Sequence, residues 1–446
     1  MHPDASAAPP SGLFPLLMPA SPAPIRSTSA VGLIAVIVLL GLNLRPVLAA
    51  IGPVLDEIQA ATGLGHTGAG MLTTLPVLAM GLGALAGARL YDWLGTVTGI
   101  RTGIVLIVLA CAARAWVGHA PGLVVTALVA GVGIACVQAL LPAFIREHFG
   151  EQASRVMGIY STAIMGGAAV AAAATPWLAA HVGWPNALAC WALPASMAAA
   201  IWWAMMRRRD RGVSTEAAHR PAIADAASQG RAGGAPTSEA REPAASLAGM
   251  HDGARPGRVN AAIPPARVWL LTIFFGLGTA AYTLVLAWLP PFYTALGWTP
   301  AQSGLLLSGV TVMEVTAGLL VSALIGRFPD RRPVLAAVLL ALLLGLGGLL
   351  LAPDRLAMPA CALLGLGIGG LFPLTLIVTL DHAPEPAQAG RLMGIVQGGG
   401  YLIASVMPLV AGALRAALGN LDYAWMLMAA GTLALGAMAM RFKPLR

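Results

Sequence analysis

Long apolar stretches bounded by charges or by Pro/Gly turns recur twelve times along this chain, and a polar, arginine-rich insert at residues 207–267 divides them six and six. About 20 apolar residues carry a helix across the hydrocarbon core of a bilayer, so stretches of this length predict membrane spans. In the first half they run Val31–Ile51, Gly68–Leu90, Thr102–Val117, Gly122–Ile145, Val156–Ala180 and Pro185–Met206. In the second half they run Val268–Phe292, Ala301–Ile325, Val334–Leu351, Leu356–Leu380, Leu392–Leu414 and Leu421–Met440. The pattern predicts an all-α membrane protein of twelve transmembrane helices in two six-helix bundles, at residues 30–206 and 268–441.

Composition excludes the soluble alternative. With 58% hydrophobic and 10% charged residues among 446, and a mean hydropathy of +0.80, too little polar surface exists to cover a water-soluble body. The net charge of +8 would suggest nucleic acid were it not so unevenly placed. On a cytoplasmic amino terminus, 22 of the 26 basic residues fall in inside segments, and the first outer loop carries Asp56 and Glu57. That asymmetry predicts a multi-pass protein of a bacterial-type inner membrane with both termini cytoplasmic, and it removes the reason to expect nucleic acid.

Residues 1–29 are rich in Pro, Ala and Ser and lack the basic leader and apolar core of a secretory signal, so a disordered cytoplasmic tail is expected there, with a second short tail at 442–446. The insert at 207–267 has no apolar period and reads as a flexible tether whose Arg207, Arg208, Arg209 and Arg211 meet anionic headgroups. The four cysteines lie within spans with no ligand spacing, and no phosphate-binding loop or nucleophile elbow occurs; no metal, cofactor or enzymatic activity is expected.

An internal repeat supports the division. Arg155–Tyr160 (RVMGIY) reads against Arg391–Val396 (RLMGIV), and GVGI from Gly131, ahead of Pro142, reads against GLGI from Gly365, ahead of Pro373. Six-helix repeats of this parallel kind rock about a solute site near the midplane.

The chemistry then rests on polar groups inside spans, each of which is costly unless it faces protein, water or solute. Arg45, in NLRP from Asn43, lies about 22 Å into the first span at ~1.5 Å per residue. An arginine at the centre of a span costs roughly 2.5 to 3.5 kcal/mol, and its guanidinium fork suits a small planar anion; a structural ion pair or a cap on backbone broken near Pro46 is the alternative. Glu314 is the one acid deep within a predicted span, and proton coupling, a gating pair with an arginine and a shielded neutral acid all remain open for it. Gln397 and Tyr401 share a helix face, Tyr160 lies at related depth, and Gln138, Tyr282, Trp288 and Phe372 supply polar edges and aromatic walls. Arg114, in the outer half of its span, reads as structural or snorkelling.

These residues resemble the major facilitator superfamily, and within it the cyanate-porter family that also contains a nitroimidazole exporter. The resemblance is carried by NLRP (Asn43–Pro46), LTTLPV (Leu72–Val77), Arg114, LLP (Leu140–Pro142), GIYS (Gly158–Ser161), AWLP (Ala287–Pro290), GLFP (Gly370–Pro373) and QGGGY (Gln397–Tyr401). It implies a pseudo-symmetric fold in which spans one, four, seven and ten line the cavity, flanked by two, five, eight and eleven, with Arg45, Gln138, Tyr160, Tyr282, Glu314, Phe372, Gln397 and Tyr401 within reach of solute. The loop after span two keeps the family's Asp92 and Gly95 but has Trp93 where a basic residue is usual, and Glu314 stands where many relatives are uncharged.

The expected function is that of a monomeric secondary carrier moving a small anionic solute, cyanate-like or a small carboxylate, by alternating access, with protons as an optional coupling ion. Arg45 anchors the anion, Asn43, Gln138, Tyr160, Tyr282, Trp288, Phe372, Gln397 and Tyr401 complete the binding set, Glu314 serves proton coupling or gating, and Asp92 and Gly95 serve the inter-bundle loop. A proton-driven exporter of drug-like compounds and a non-transporting membrane sensor are the alternatives.

Overall fold

A computed structural model describes residues 27–207, 264–383 and 386–442. The expected tail at 1–29, the tether at 207–267 and the tail at 442–446 lie almost wholly outside the described residues. Among the described residues all regular structure is helical, as the hydrocarbon core requires of a backbone that must satisfy its N–H and C=O groups internally. Each predicted span falls on helical chain, the first and sixth in separate pieces.

The first half comprises α1 (Ser27–Leu42), α2 (His66–Leu85), α3 (Thr96–Ala113), α4 (Ala120–Phe149), α5 (Ala153–Val182) and α6, the stretch Trp184–Arg207, interrupted for one residue at Trp191. The second comprises α7 (Pro265–Ala295), α8 (Pro300–Leu324), α9 (Arg332–Leu351), α10 (Ala357–Asp381), α11 (Pro386–Leu418) and α12 (Asp422–Ala439). Ten stretches among the described residues are long and apolar enough to cross a membrane; one of them, Ala120–Val182, is α4 and α5 joined through the 3-10 turn Gly150–Gln152. The helix α12 falls outside the ten, its first turn carrying Asp422 and Tyr423.

Two seams join the halves, α2 against α11 and α5 against α8. Glycines set how closely they approach. Along the first seam a Cβ on Gly70 would strike the Pro408 carbonyl, one on Gly81 would meet the Gly398 carbonyl at 3.0 Å, and one on Gly412 would strike the His66 carbonyl, so the contact runs from His66 to Leu85. Along the second, Gly304 of α8 seats against the Ala172 carbonyl and Pro176 near the far end of α5. At the opposite end α5 and α8 separate.

The first span is broken where the sequence places proline. Pro46 has no N–H to return to the preceding turn; α1 stops at Leu42 with Asn43 and Leu44 donating three residues back, to the carbonyls of Leu40 and Gly41. The chain resumes as the turn Pro46–Ala49, the 3-10 turn Gly52–Val54 and the helix Leu55–Thr62. Freed backbone at membrane depth must find other partners. Asn43 Nδ2 donates to the Leu39 carbonyl at 2.8 Å, and Arg114 Nη1, arriving from the end of α3, donates to the Val47 carbonyl at 3.1 Å.

Candidate functional site

The break holds Arg45 at the inner end of a cavity of about 340 Å³ between the two halves. From α7 the walls take Phe275, Thr279 and Tyr282, spaced four and three residues apart on one face; from α8 they take Glu314, Gly318 and Ser322, each four residues apart. Ser161 and Met165 come from α5, Gln138 from α4, Ile368, Phe372 and Leu376 from α10, and Tyr401 from α11. Depth follows exposure. Arg45 and Glu314 are each 5% exposed and Thr283 is 1%, while Phe372 reaches 43% and Ser161, Thr162 and Ser322 are exposed. The cavity therefore opens between the separated ends of α5 and α8, on the face where Arg89, Arg155, Arg207, Arg327, Arg331 and Arg332 cluster at helix ends.

The opposite face is closed. Asp56, in the helix that ends the first span, accepts a hydrogen bond from the Thr294 hydroxyl of α7, tying the halves together. A Cβ on Gly52 would lie 3.0 Å from the Leu286 carbonyl, and Trp288 Nε1 donates to the Pro408 carbonyl at 2.9 Å beneath the Arg415 guanidinium, which lies 5.7 Å from its ring.

At the deep end a single cation meets three phenols and one carboxyl group. The Arg45 guanidinium carbon stands 5.3 Å from the centre of the Tyr282 ring, Tyr401 is within hydrogen-bonding reach, and Tyr160 and Glu314 are further electrostatic neighbours. Arg45 and Glu314 form no ion pair; the two ion pairs among the described residues are Arg331–Asp381 and Arg332–Asp330, both near the open face. Arg45 Nε, the Tyr160 and Tyr282 hydroxyls and Glu314 Oε2 are all buried without a hydrogen-bond partner. Native interiors pair such groups almost without exception, so these four atoms around one cavity call for partners that water or a solute can supply. Among the described residues no cluster of His, Cys, Asp or Glu could hold a metal ion.

Of the sequence-predicted site residues, the structure brings Arg45, Gln138, Tyr282, Glu314, Phe372 and Tyr401 to the cavity wall, with Tyr160 buried beside Arg45. It places three elsewhere. Asn43 is spent on its own broken helix, Trp288 is fully buried in the closed face, and Gln397 lies one turn from Tyr401, half-buried, off the lining. Asp92 is exposed in the short helix Gly87–Leu94, where Tyr91, not Asp92, reaches across to Glu147 at 3.0 Å; Gly95 ends that helix at φ 67°, which suits glycine. Arg114 is buried and donates to Thr126 and Val47, so it is structural and does not snorkel.

Sequence reasoning missed Phe275, Thr279, Thr283, Ser161 and Ser322. Phe275 is the hub of the aromatic wall, 5.7 Å from Phe372 and 5.5 Å from Tyr401 between ring centres. The four-residue spacings Phe275–Thr279 and Gly318–Ser322, in phase with Tyr282 and Glu314, were the available signal.

Known proteins resemble this chain throughout its length. The family model described as Major Facilitator Superfamily matches residues 31–389 and 269–446. The cyanate transport protein CynX of Escherichia coli (strain K12) is 34% identical over 415 residues, covering 93% of this chain and 98% of that one. The 2-nitroimidazole transporter of the same organism is 28% identical over 393 residues, covering 87% and 89%. Among solved structures, the inward open xylose transporter XylE from E. coli superposes with a TM-score of 0.68 at 14% identity over 93% of this chain and 97% of that one, which speaks to the fold alone.

Proposed function

Because the chain belongs to the major facilitator superfamily, we propose that its buried arginine selects the cargo: the protein carries a small anion, cyanate-like or a small carboxylate, through a bacterial-type inner membrane by alternating access. The two bundles, residues 30–206 and 268–441, rock about the cavity, with both termini and the arginine-rich open face on the cytoplasmic side and the monomer as the working unit. The observation that carries this reading is Arg45, the cavity's single lining cation, deep at its closed end with Nε unpartnered and no acid paired to it. A guanidinium in that state offers charge-assisted hydrogen bonds to an anion that water would otherwise supply. Tyr401 and Tyr282 line the same space with Tyr160 buried beside Arg45, and Phe275 and Phe372 form an aromatic wall on one side.

The cargo of one relative is named as cyanate and that of another as 2-nitroimidazole. Cyanate is a linear anion and 2-nitroimidazole a flat aromatic ring; the aromatic wall favours a flat solute, which supports export of small aromatic compounds as the second reading. Thermal stabilisation of the purified protein by cyanate, formate, benzoate and 2-nitroimidazole, wild type against Arg45→Ala, separates them. A ligand specific to the folded state raises stability by RT ln(1 + [L]/Kd). Stabilisation by anions that vanishes in Arg45→Ala upholds the anion carrier; stabilisation confined to 2-nitroimidazole and indifferent to Arg45 replaces it with the second reading.

A further inference from the structure

The cavity is lined by two charged side chains, Arg45 and Glu314, and by no others. The groups that act on Glu314 are Arg45 from the first span and Tyr282 from α7, while Tyr401 from α11 and Tyr160 from α5 act on Arg45; α10, packed on the Glu314 backbone at Gly369, brings no titratable side chain to the cavity. A Cβ on Gly369 would strike the Glu314 backbone, so the two helices are in direct contact at Glu314. Its Oε2 is buried and unpartnered, with no ion pair to Arg45.

To change its open face, the carrier must seal these charges from water, and a sealed site with net charge is far costlier than a neutral one. Four fillings exist. Empty, with Glu314 ionised, the site is neutral. With an anion on Arg45 and a proton on Glu314 it is again neutral. An anion without the proton leaves one negative charge, and a proton without the anion leaves one positive charge. Only the two neutral fillings close readily.

We propose, on the anion-carrier reading above, that the protein is an electroneutral symporter in which one monovalent anion on Arg45 and one proton on Glu314 cross together. The proton passes from water on one side to a Glu314 carboxylate oxygen and leaves to water on the other; no bond in the cargo changes. A more acidic exterior then drives uptake, and neither species leaks across alone.

The test uses the full chain reconstituted in liposomes, radiolabelled cyanate as the probe, an entrapped pH dye, and valinomycin with potassium to set the potential; protein-free vesicles give the blank. The expected result is one proton per cyanate and an accumulation that does not respond to the potential. Movement of one net charge would change accumulation about fifty-fold for a potential of ~100 mV. Cyanate uptake that follows the potential, or that moves no protons, overturns the coupling while leaving the carrier reading intact. Wild-type protein that neither exchanges nor takes up labelled cyanate, formate or benzoate overturns the carrier reading and the coupling with it. In Glu314→Gln the empty site keeps the charge of Arg45 and closes poorly, whereas the loaded site is neutral. The ratio of cyanate exchange to net uptake should therefore rise by about tenfold or more, one decade for each ~1.4 kcal/mol added to the empty return step. An unchanged ratio overturns the role of Glu314. If that variant fails to reconstitute, the wild-type proton count and potential response decide alone.

Discussion

Replacing Arg45 with leucine separates a binding group from a structural one. In the folded protein the guanidinium has three identifiable assets: a cation–π contact with Tyr282 at 5.3 Å, a hydrogen bond within reach of Tyr401, and proximity to Glu314. The first is worth about 0.5 to 2 kcal/mol and the second about 1.5 to 3 kcal/mol. Against them stands the cost of a cation at span depth, roughly 2.5 to 3.5 kcal/mol. These nearly cancel, and the vacated volume opens onto the cavity, so no sealed void forms. The thermal midpoint of ligand-free Arg45→Leu should lie within a few degrees of wild type. Binding should behave otherwise: loss of a desolvated charge contact costs about 2 to 5 kcal/mol, or roughly thirty- to four-thousand-fold in Kd. Differential scanning fluorimetry in detergent reads the first and isothermal titration with cyanate or benzoate the second. A structural arginine whose removal strands buried partners would cost about 3 to 5 kcal/mol, which for a bundle of this size lowers the midpoint by more than about 6 °C. Such a fall, with anion affinity unchanged among the molecules that still fold, refutes the reasoning.

Arg114→Leu should show the opposite balance. It strands the Val47 carbonyl, at a cost of about 1 to 3 kcal/mol in stability, and loosens the turn beside Arg45, which scanning fluorimetry and anion titration would show together. Gly304→Leu places a side chain against the Ala172 carbonyl and Pro176, obstructing closure on the far face; in a background lacking the native cysteines, Ser161→Cys should then label more slowly from the arginine-rich side, and an unchanged rate would refute the seam assignment. Tyr401→Phe removes the hydroxyl that bonds Arg45 next to the bound anion; it should weaken binding by about two- to thirteen-fold, the equivalent of roughly 0.5 to 1.5 kcal/mol, and lower the midpoint of the empty protein by a few degrees through the lost Arg45 bond.

The spans were legible because the bilayer imposes a length that few soluble helices share, and Arg45 and Glu314 because a charge in an apolar helix is costly enough to need a reason. Arg45 is read correctly as lying beside a helix break, since Pro46 announces the break in the sequence itself. What periodicity could not supply was rotation. These helices are apolar nearly all round, so the face that meets the cavity rather than lipid is not written into α7 or α11, and Gln397 could be placed beside Tyr401 on sequence grounds yet fall outside the lining. Trp288 fits an aromatic wall equally well in either place; its bond to the Pro408 carbonyl, two turns past Tyr401, decides it. Thr279, Thr283 and Ser322 escaped notice because a hydroxyl in a membrane helix usually returns its proton to a carbonyl three or four residues back, as Thr283 does to Ala280, and carries no signal of what else it faces.

The unequal seams give the molecule a spine and a fore-edge. Along α2 and α11 glycine backbones touch from His66 to Leu85, whereas α5 and α8 meet at Gly304 and part toward the arginine-rich face. Opening and closing should then resemble a book turned about its binding: spin labels astride α2 and α11 would scarcely change separation through the cycle, while labels astride the α5 and α8 ends would swing by many ångströms. A wedge-shaped molecule that jams the cycle would be found in the fore-edge, and bulk added along the spine would stop the pages from meeting at all.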